Sequence, residues 1–223
     1  SMMNIPLFFF AHEQTGDKKY LEAAVEHYRT TMKYLIREDG SSYHHYQFDP
    51  VTGKPVKGVT LQGYSDESCW GRGHSWLVYG FPIAYSYTHN EEIIPVDKNV
   101  SYFYLNKLAA DYIPYWDFDF TDGSGAARDS SIAAITSCGF LEMCKYLPDD
   151  AEQKKVFKNA ADAQINALID KCENHGDDAD GLILQVTHAL PQGQGIEECA
   201  VYGDYFYMET LMRYLNPDWK RYW

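Results

Sequence analysis

Apolar side chains recur every three or four residues over most of the chain, which is the spacing of one face of an α-helix. An apolar run over residues 4–14 ends at Gly16, and Asp17 then offers a side chain suited to capping a second helix. The repeat in this second helix comprises Tyr20, Ala24, His27, Tyr28, Met32 and Leu35. This second helix is predicted to end near Asp39–Gly40. The pattern therefore predicts two helices joined by a short turn.

The same spacing predicts five further helices, which makes about seven in all. They cover residues 70–88, 96–112, 130–145, 152–173 and 204–214. Residues 43–48 instead alternate and are aromatic, and the turn-forming residues 49–53 follow them, so a small β-hairpin is predicted between helices.

Three long connections separate these helices, over residues 40–69, 113–129 and 174–201, and they are rich in glycine, aromatic and polar residues. Long loops on a helical scaffold usually carry the functional site. Alternating short and long connections favour a toroid of helix pairs whose long loops gather at one mouth. We expect one domain over residues 1–223.

Composition narrows the possible partners. The net charge of -13 and the absence of a run of basic residues argue against a nucleic-acid partner. Five cysteines without metal-ligand spacing predict free thiols and no structural metal. The sequence has no stretch typical of a signal peptide or a membrane span, which argues against a membrane partner and leaves the cytoplasm and the periplasm as alternative locations.

The residues 58–76 concentrate side chains that suit a sugar acid. Arg72 lies between Trp70 and Trp76, with Gln62 and His74 close in sequence. An arginine offers a bidentate cation to a carboxylate, and flanking indole rings offer flat faces for a pyranose. The alternative is an arginine that forms a structural salt bridge among core tryptophans.

Two histidines, His44 and His45, fall on the predicted hairpin. Adjacent residues of a strand point to opposite faces, so at most one of them is expected to face the mouth.

Two aspartates within residues 114–135, Asp117 and Asp129, look like a glycosidase pair but favour structural roles. Asp129 directly precedes a helical run and is expected to cap it, and Asp117 is expected to hold Arg128. Asp204, at the start of the last helix, is interpreted in the same way.

Taken in order, these segments resemble the unsaturated glucuronyl hydrolases of glycoside hydrolase family 88. The similar blocks are SMMNIPLFF, DGSSYHHYQFDP, GYSDESCWGRGHSWLVYGF, PYWDFDF with RDSSIAAI, and YGDYFYMETLMR. The resemblance implies an all-α fold, an (α/α)6 barrel of which this chain holds an incomplete, C-terminal part. It also implies that the uronate-binding residues are His44, Gln62, Trp70, Arg72 and Trp76. The family more often has Gln where this chain has His74.

The activity implied by the resemblance is removal of a 4,5-unsaturated uronic acid from lyase-generated oligosaccharides. In the family an aspartate protonates the C4=C5 vinyl ether and activates water that adds at C5, and the resulting hemiketal opens and expels the aglycone. No metal or cofactor is required. That aspartate immediately precedes the block matched by Ser1–Asn4, so no catalytic residue is expected within this chain. The alternatives are an unsaturated rhamnogalacturonyl hydrolase and a non-catalytic uronate-binding remnant.

The apolar start of the chain favours a truncated domain. We expect its first helix to leave an apolar face, including Phe8, Phe9 and Phe10, that a second chain or subunit covers.

Overall fold

The structure is a computed structural model that describes residues 2–176, 179–216 and 218–221. Within these residues there are seven α-helices: α1 Ile5–Thr15, α2 Lys18–Tyr34, α3 Gly71–Thr88, α4 Ile93–Lys107, α5 Ser130–Met143, α6 Glu152–Lys171 and α7 Val201–Leu215. One antiparallel hairpin pairs β1 His45–Phe48 with β2 Pro55–Val59, and short 3-10 turns cover Met2–Asn4 and Leu190–Gln192. The predicted helices and hairpin are all present.

Two helices, α2 and α4, differ most from their predicted bounds. Helix α2 stops at Tyr34 because the next residues turn back on themselves through an isolated bridge between Ile36 and Ser42. Helix α4 begins and ends earlier than predicted, and Tyr112 has a left-handed φ of 65° that a helix cannot contain.

The odd-numbered helices α3, α5 and α7 pack side by side, while α4 packs on α3 and α6 packs on α5. Helix α5 is buried on all sides, with only Leu141 of its residues partly exposed. A helix that is buried on all sides is an interior helix of the fold. Close contact between α3 and α5 depends on Gly139, where an added Cβ would lie 2.4 Å from the carbonyl oxygen of Val78.

The three long connections meet at one end of the molecule, where α3, α5 and α7 begin. Phe118 donates its backbone N–H to the carbonyl of Cys69 at 2.9 Å, and the Thr187 hydroxyl donates to the carbonyl of Arg128 at 2.6 Å. These bonds join the first connection to the second and the second to the third. The predicted gathering of the long loops at one mouth is therefore observed.

Local predictions about caps and cysteines are confirmed. Asp17 accepts a hydrogen bond from the backbone N–H of Lys19 at the start of α2, and Asp129 accepts one from Ser131 at the start of α5. All five cysteines are free thiols, and Cys199 alone is not fully buried. No helix in the described ranges has the length and apolar character needed to cross a membrane.

The expectation that Phe8, Phe9 and Phe10 form an apolar face covered by a second chain or subunit is wrong in part. Phe9 is only 1% exposed and stacks on Tyr87 with ring centroids 4.6 Å apart, and Phe8 packs partly buried against the same core. Phe10 and Leu7 are 36% and 68% exposed. The chain's own helices thus cover most of the apolar material that the sequence assigned to a partner.

Candidate functional site

A cavity of about 460 Å³ opens between α2, α3 and the hairpin. Four of the five predicted site residues line it: His44, Gln62, Trp70 and Trp76. Helix α2 supplies the opposite wall through His27, Thr30, Thr31 and Tyr34. No sequence pattern pointed to α2 as part of the site, because the residues of its wall have ordinary helical spacing.

The orientation of His44 is fixed by the loop that follows the hairpin. The backbone N–H groups of Leu61 and Gln62 point to His44 Nδ1 at 3.3 and 3.4 Å. Nδ1 is therefore an unprotonated acceptor, and the neutral ring carries its proton on Nε2. Burial, with the charges of His45 and Arg72, lowers the pKa of His44 to about 3. This histidine is a neutral hydrogen-bond donor near neutral pH.

His45 also lines the cavity, so the expectation that only one of the two histidines faces it is wrong. The two rings lie 3.8 Å apart, and the other neighbour of His44 is the ring of Trp70 at 4.3 Å. Strand β1 begins at His45, so His44 lies before the strand and does not follow its alternation.

Trp70 and Trp76 are presented by the start of α3. Trp70 occupies the N-cap position, and its backbone forms an isolated bridge with Asp117 of the second connection. The ring of Trp70 covers Gly73, where an added Cβ would lie 2.5 Å from the indole, so glycine is needed for this packing. Trp76 is partly exposed on the same face of the helix, with its ring 5.3 Å from that of Phe206.

Arg72 is not in the cavity wall, and its guanidinium lies in the interior with 3% of the side chain exposed. Nη1 donates to Asp129 Oδ2 and to the carbonyl of Thr187, each at 2.6 Å. Nη2 donates to the carbonyl of His188. The structural salt bridge that the sequence analysis kept as an alternative is what forms.

The guanidinium nevertheless stays next to the cavity. Its central carbon lies 4.9 Å from the ring centroid of Trp70 and 4.8 Å from that of Tyr202. Asp129 therefore has two tasks, the cap of α5 and the counter-charge of Arg72, of which the sequence analysis predicted only the first.

Gln62 reaches the third long connection. Its Nε2 donates to the carbonyl of His188 at 2.9 Å, the same oxygen that accepts from Arg72. In return, Gln192 Nε2 donates to the carbonyl of Leu61 at 2.6 Å. Thr187 and His188 were missed because the site residues that they bind, Arg72 and Gln62, lie more than a hundred residues away and no local pattern marks them.

Asp117 is fully buried and holds the loop that carries Gln62. It accepts from the backbone N–H of Tyr64 at 2.9 Å and from the Ser68 hydroxyl at 2.7 Å. Burial raises its pKa. The expected pairing with Arg128 is wrong, because that arginine pairs with Asp111 at 3.0 Å.

Two further residues of the motif blocks are structural. His74 is buried between Ser42 Oγ at 3.0 Å and the carbonyl of Val100 at 2.9 Å, which fixes its proton on Nε2. A glutamine side chain also has an N–H donor and a carbonyl acceptor with which to satisfy these two groups. Asp204 accepts from the backbone N–H groups of Leu182 and Ile183, so it anchors the third connection rather than capping α7.

The described wall of the cavity combines polar and aromatic side chains. Among the described residues, no aspartate or glutamate contributes to its wall. No cluster of His, Cys, Asp and Glu suited to a metal ion occurs in the same residues. Neutral imidazoles, an amide and indole faces are groups that recognise a polar ring with hydroxyl groups.

Comparison with known proteins gives a consistent picture. The family profile described as Glycosyl Hydrolase Family 88 matches residues 2–216. The chain is 43% identical over 223 residues to an unsaturated chondroitin disaccharide hydrolase of Streptococcus pneumoniae, an alignment that covers 100% of this chain and 56% of the relative.

Two solved structures also match the chain. The crystal structure of an unsaturated glucuronyl hydrolase from Streptococcus agalactiae matches with a TM-score of 0.95 and 43% identity, over 100% of this chain and 56% of that chain. A mutant of that enzyme complexed with dGlcA-GalNAc6S matches with a TM-score of 0.91 and 43% identity, over 100% of this chain and 59% of that chain. The predicted helical-barrel fold class is confirmed. The chain spans a little more than half the length of the relatives it matches.

Proposed function

Because the chain belongs to Glycosyl Hydrolase Family 88, we propose that it forms the uronate-binding part of a hydrolase that removes 4,5-unsaturated uronic acid from the non-reducing end of lyase-generated oligosaccharides. Of the five residues that the resemblance assigns to the uronate, we propose that His44, Gln62, Trp70 and Trp76 contact it and that Arg72 acts from the interior behind them.

The observation that carries the proposal is the convergence of His44, Gln62, Trp70 and Trp76 on one cavity. In this proposal the uronate ring lies against the indole faces, and His44 Nε2–H donates to its carboxylate or a hydroxyl. The chain has a net charge of -13, yet no described acidic side chain lines this wall. An anionic sugar therefore meets no direct repulsion from the wall.

Arg72 has a changed role in this proposal. Asp129 and two backbone carbonyls already take three of the five N–H donors of its guanidinium. We propose that Arg72 holds the loop that contains His188 against Gln62. Its positive charge also lies beneath the ring of Trp70.

The proton donor comes, in this proposal, from the part of the family's length that this chain does not span. Asp117 and Asp129 are unsuited to the step, because both are buried and committed to other groups. The acid protonates the C4=C5 bond and water adds at C5. The hemiketal then opens and releases the aglycone sugar.

The substrate class follows from the relatives. One is an unsaturated chondroitin disaccharide hydrolase, and a mutant of another is complexed with dGlcA-GalNAc6S. We propose that this chain takes a glycosaminoglycan-derived disaccharide of the same kind.

The test compares these 223 residues with a polypeptide extended at its N-terminus to the length of the relatives. Loss of the ultraviolet absorbance of an unsaturated chondroitin disaccharide reports turnover, and tryptophan fluorescence reports binding. We expect both chains to bind, and turnover by the extended chain only. A positioned acid is typically worth about 10²–10⁴ in rate, so turnover by the short chain falls by at least about a hundredfold.

Three results would contradict parts of the proposal. Activity of the 223-residue chain that is lost in Asp117→Asn would place the acid within this chain. Binding without turnover by the extended chain would indicate a non-catalytic module. Faster turnover of an unsaturated rhamnogalacturonan disaccharide would assign the chain to that substrate instead.

A further inference from the structure

The inner face of α4 carries two polar side chains among apolar ones. The face comprises five residues at helical spacing, each at most 1% exposed: Ile93, Asp97, Val100, Ser101 and Tyr104. Its apolar members belong to the same hydrophobic core cluster as Phe140 of α5 and Phe157 of α6. Asp97 and Ser101 therefore lie within the core that the helices share.

The two polar side chains of this face are not compensated by hydrogen bonds. Both carboxyl oxygens of Asp97 and the hydroxyl of Ser101 are buried without a hydrogen-bond partner in the part of the chain that the structure describes. The two residues are one helical turn apart, yet they do not bond to each other. Asp117 and Asp129 are equally buried, but each accepts hydrogen bonds from two or more donors. A buried polar group without a partner is uncommon in folded proteins.

The surroundings of Asp97 determine its charge. An ionised carboxylate that has left water needs a cation or hydrogen-bond donors, and without them the group takes up a proton. Burial raises the pKa of Asp97 well above the ordinary value of 3.8, and no charge among the described residues opposes this effect. The lack of partners and the raised pKa both favour the uncharged carboxylic acid.

The neighbouring titratable groups of α3 and α5 supply no counter-charge. His74 of α3 donates through Nε2 to the carbonyl of Val100 at 2.9 Å, and burial lowers its pKa to about 4, so the ring is neutral. Tyr85 of α3 has a pKa that burial raises. Cys144 follows α5, and burial raises the pKa of its thiol to about 11, with a smaller contribution from the charge of Asp97. All three groups are uncharged near neutral pH.

The cations of the neighbouring helices are engaged elsewhere. Two lysines of α6 lower the pKa of the thiol after α5, and both are paired: Lys154 with Asp149 at 2.7 Å, and Lys158 with Asp162 at 2.5 Å. Lys98 of α4 is exposed to solvent. Ionisation of the carboxyl group on the inner face would therefore place an unpaired charge in the core.

We propose that Asp97 is a neutral carboxylic acid in the folded protein near neutral pH, and that its ionisation makes the packing of α4 on α3 and α5 sensitive to a rise in pH. This inference does not depend on what the cavity binds. It concerns the support of the cavity, because Val100 holds His74, which lies one turn of α3 beyond Trp70.

The direction of the pH effect follows from the protons that each state binds. In the unfolded chain Asp97 ionises near its ordinary pKa of 3.8, whereas the folded protein keeps the proton because its pKa is raised. The contribution of Asp97 to stability is therefore fully present below pH 3.8 and is lost as the pH rises towards the folded-state pKa.

Urea unfolding of the wild type and of Asp97→Asn at a series of pH values measures this effect. The quantity compared is the equilibrium constant of unfolding of the wild type divided by that of the variant, a ratio in which the other titrating groups cancel. We expect the ratio to rise about tenfold per pH unit, hence about a hundredfold from pH 5 to pH 7. Asp97→Ala, which also cannot ionise, should give the same slope, so either variant is sufficient if the other fails to fold.

Infrared spectroscopy observes the proton directly. At pH 7 ordinary carboxyl groups are ionised, so a C=O stretching band of a protonated carboxyl that is present in the wild type and absent from Asp97→Asn belongs to Asp97. We expect this band. The matched control is Asp170→Asn, on the exposed side of α6, which should keep the band and give a ratio independent of pH above pH 5.

The possible results decide for or against the inference. A rising ratio together with the infrared band supports it. A ratio that stays constant or falls between pH 5 and pH 7, or a wild type without the band, would show that the carboxylate is ionised in the folded protein and would overturn the inference. A ratio that rises equally in Asp170→Asn would assign the effect to the overall charge of the chain and would overturn it as well.

Discussion

At the scale of single residues, two aspartates with the same local role have very different surroundings. Asp17 and Asp129 each cap a helix through a backbone N–H two residues later. The side chain of Asp17 is 43% exposed, while that of Asp129 is fully buried against Arg72. Removing the negative charge is therefore expected to change the free energy of unfolding much more at Asp129 than at Asp17.

We expect Asp129→Asn to lower the free energy of unfolding by about 3 kcal/mol, because it leaves the buried Arg72 without a counter-charge. Asparagine caps a helix as well as aspartate does, so the loss is not a capping effect. Urea denaturation at neutral pH measures it.

The matched control is Asp17→Asn, which is expected to leave the free energy of unfolding almost unchanged, since the pair with Lys19 is exposed to solvent. Equal losses in the two variants would mean that the Arg72 pair adds nothing beyond the cap.

At the scale of elements, the packing of α3 against α5 depends on the absence of a side chain. At Gly139, an added Cβ would lie 2.4 Å from the carbonyl oxygen of Val78 and 2.9 Å from the Cα of Tyr79. Both obstacles are backbone atoms of α3, so neither can rotate away. The helix that carries Trp70, Arg72 and Trp76 is thus set at a fixed distance from α5.

Gly139→Ala is expected to lower the free energy of unfolding by about 1–3 kcal/mol, because the two helices must move apart. Helix propensity alone predicts the opposite sign, a gain of about 1 kcal/mol. Thermal or urea unfolding decides between the two signs.

Ala23→Gly, on the exposed face of α2, isolates the propensity effect and should lose about 1 kcal/mol. A stabilised Gly139→Ala protein would show that α3 and α5 tolerate a wider spacing.

At the scale of the whole molecule, a buried network of charges joins the last helix and the C-terminal segment to α5. Glu142 of α5 pairs with Arg213 and Arg221, each at 2.6 Å, and Arg213 pairs with Glu209 at 2.8 Å. Burial by itself raises the pKa of Glu142, but Arg213, Arg221 and Lys145 outweigh it and lower the pKa to about 2. The carboxylate stays charged through mildly acidic conditions.

We expect Glu142→Gln to cost about 3–5 kcal/mol at pH 7, because two buried arginines lose their shared partner. The folded-state pKa lies below the ordinary value of 4.5, so the contribution of Glu142 is fully present above pH 4.5 and is lost as the pH falls towards 2. The difference between wild type and variant therefore shrinks over this pH range.

Urea titrations at several pH values follow this difference, with Glu26→Gln on the exposed face of α2 as the variant that should behave like the wild type. A difference in the free energy of unfolding between wild type and Glu142→Gln that is independent of pH would mean that Glu142 acts through packing rather than charge.

The sequence by itself determined the secondary structure and the local contacts. Helical spacing, the caps at Asp17 and Asp129, and the hairpin turn after Phe48 all depend on neighbours within a few residues, and each is present as predicted. The resemblance of its motif blocks likewise gave the helical-barrel fold class. Periodicity and capping are local physics, so a single sequence is enough to read them.

Only the tertiary structure decided which groups face the cavity and which pair in the interior. Arg72 binds Asp129 and the carbonyl of Thr187, partners 57 and 115 residues away, and no spacing rule connects such positions. The end of α2 at Tyr34, rather than near Gly40, likewise follows from the bridge between Ile36 and Ser42. Long-range pairing is set by how the helices pack, because a buried charge takes whichever counter-charge and carbonyls the packing brings within reach.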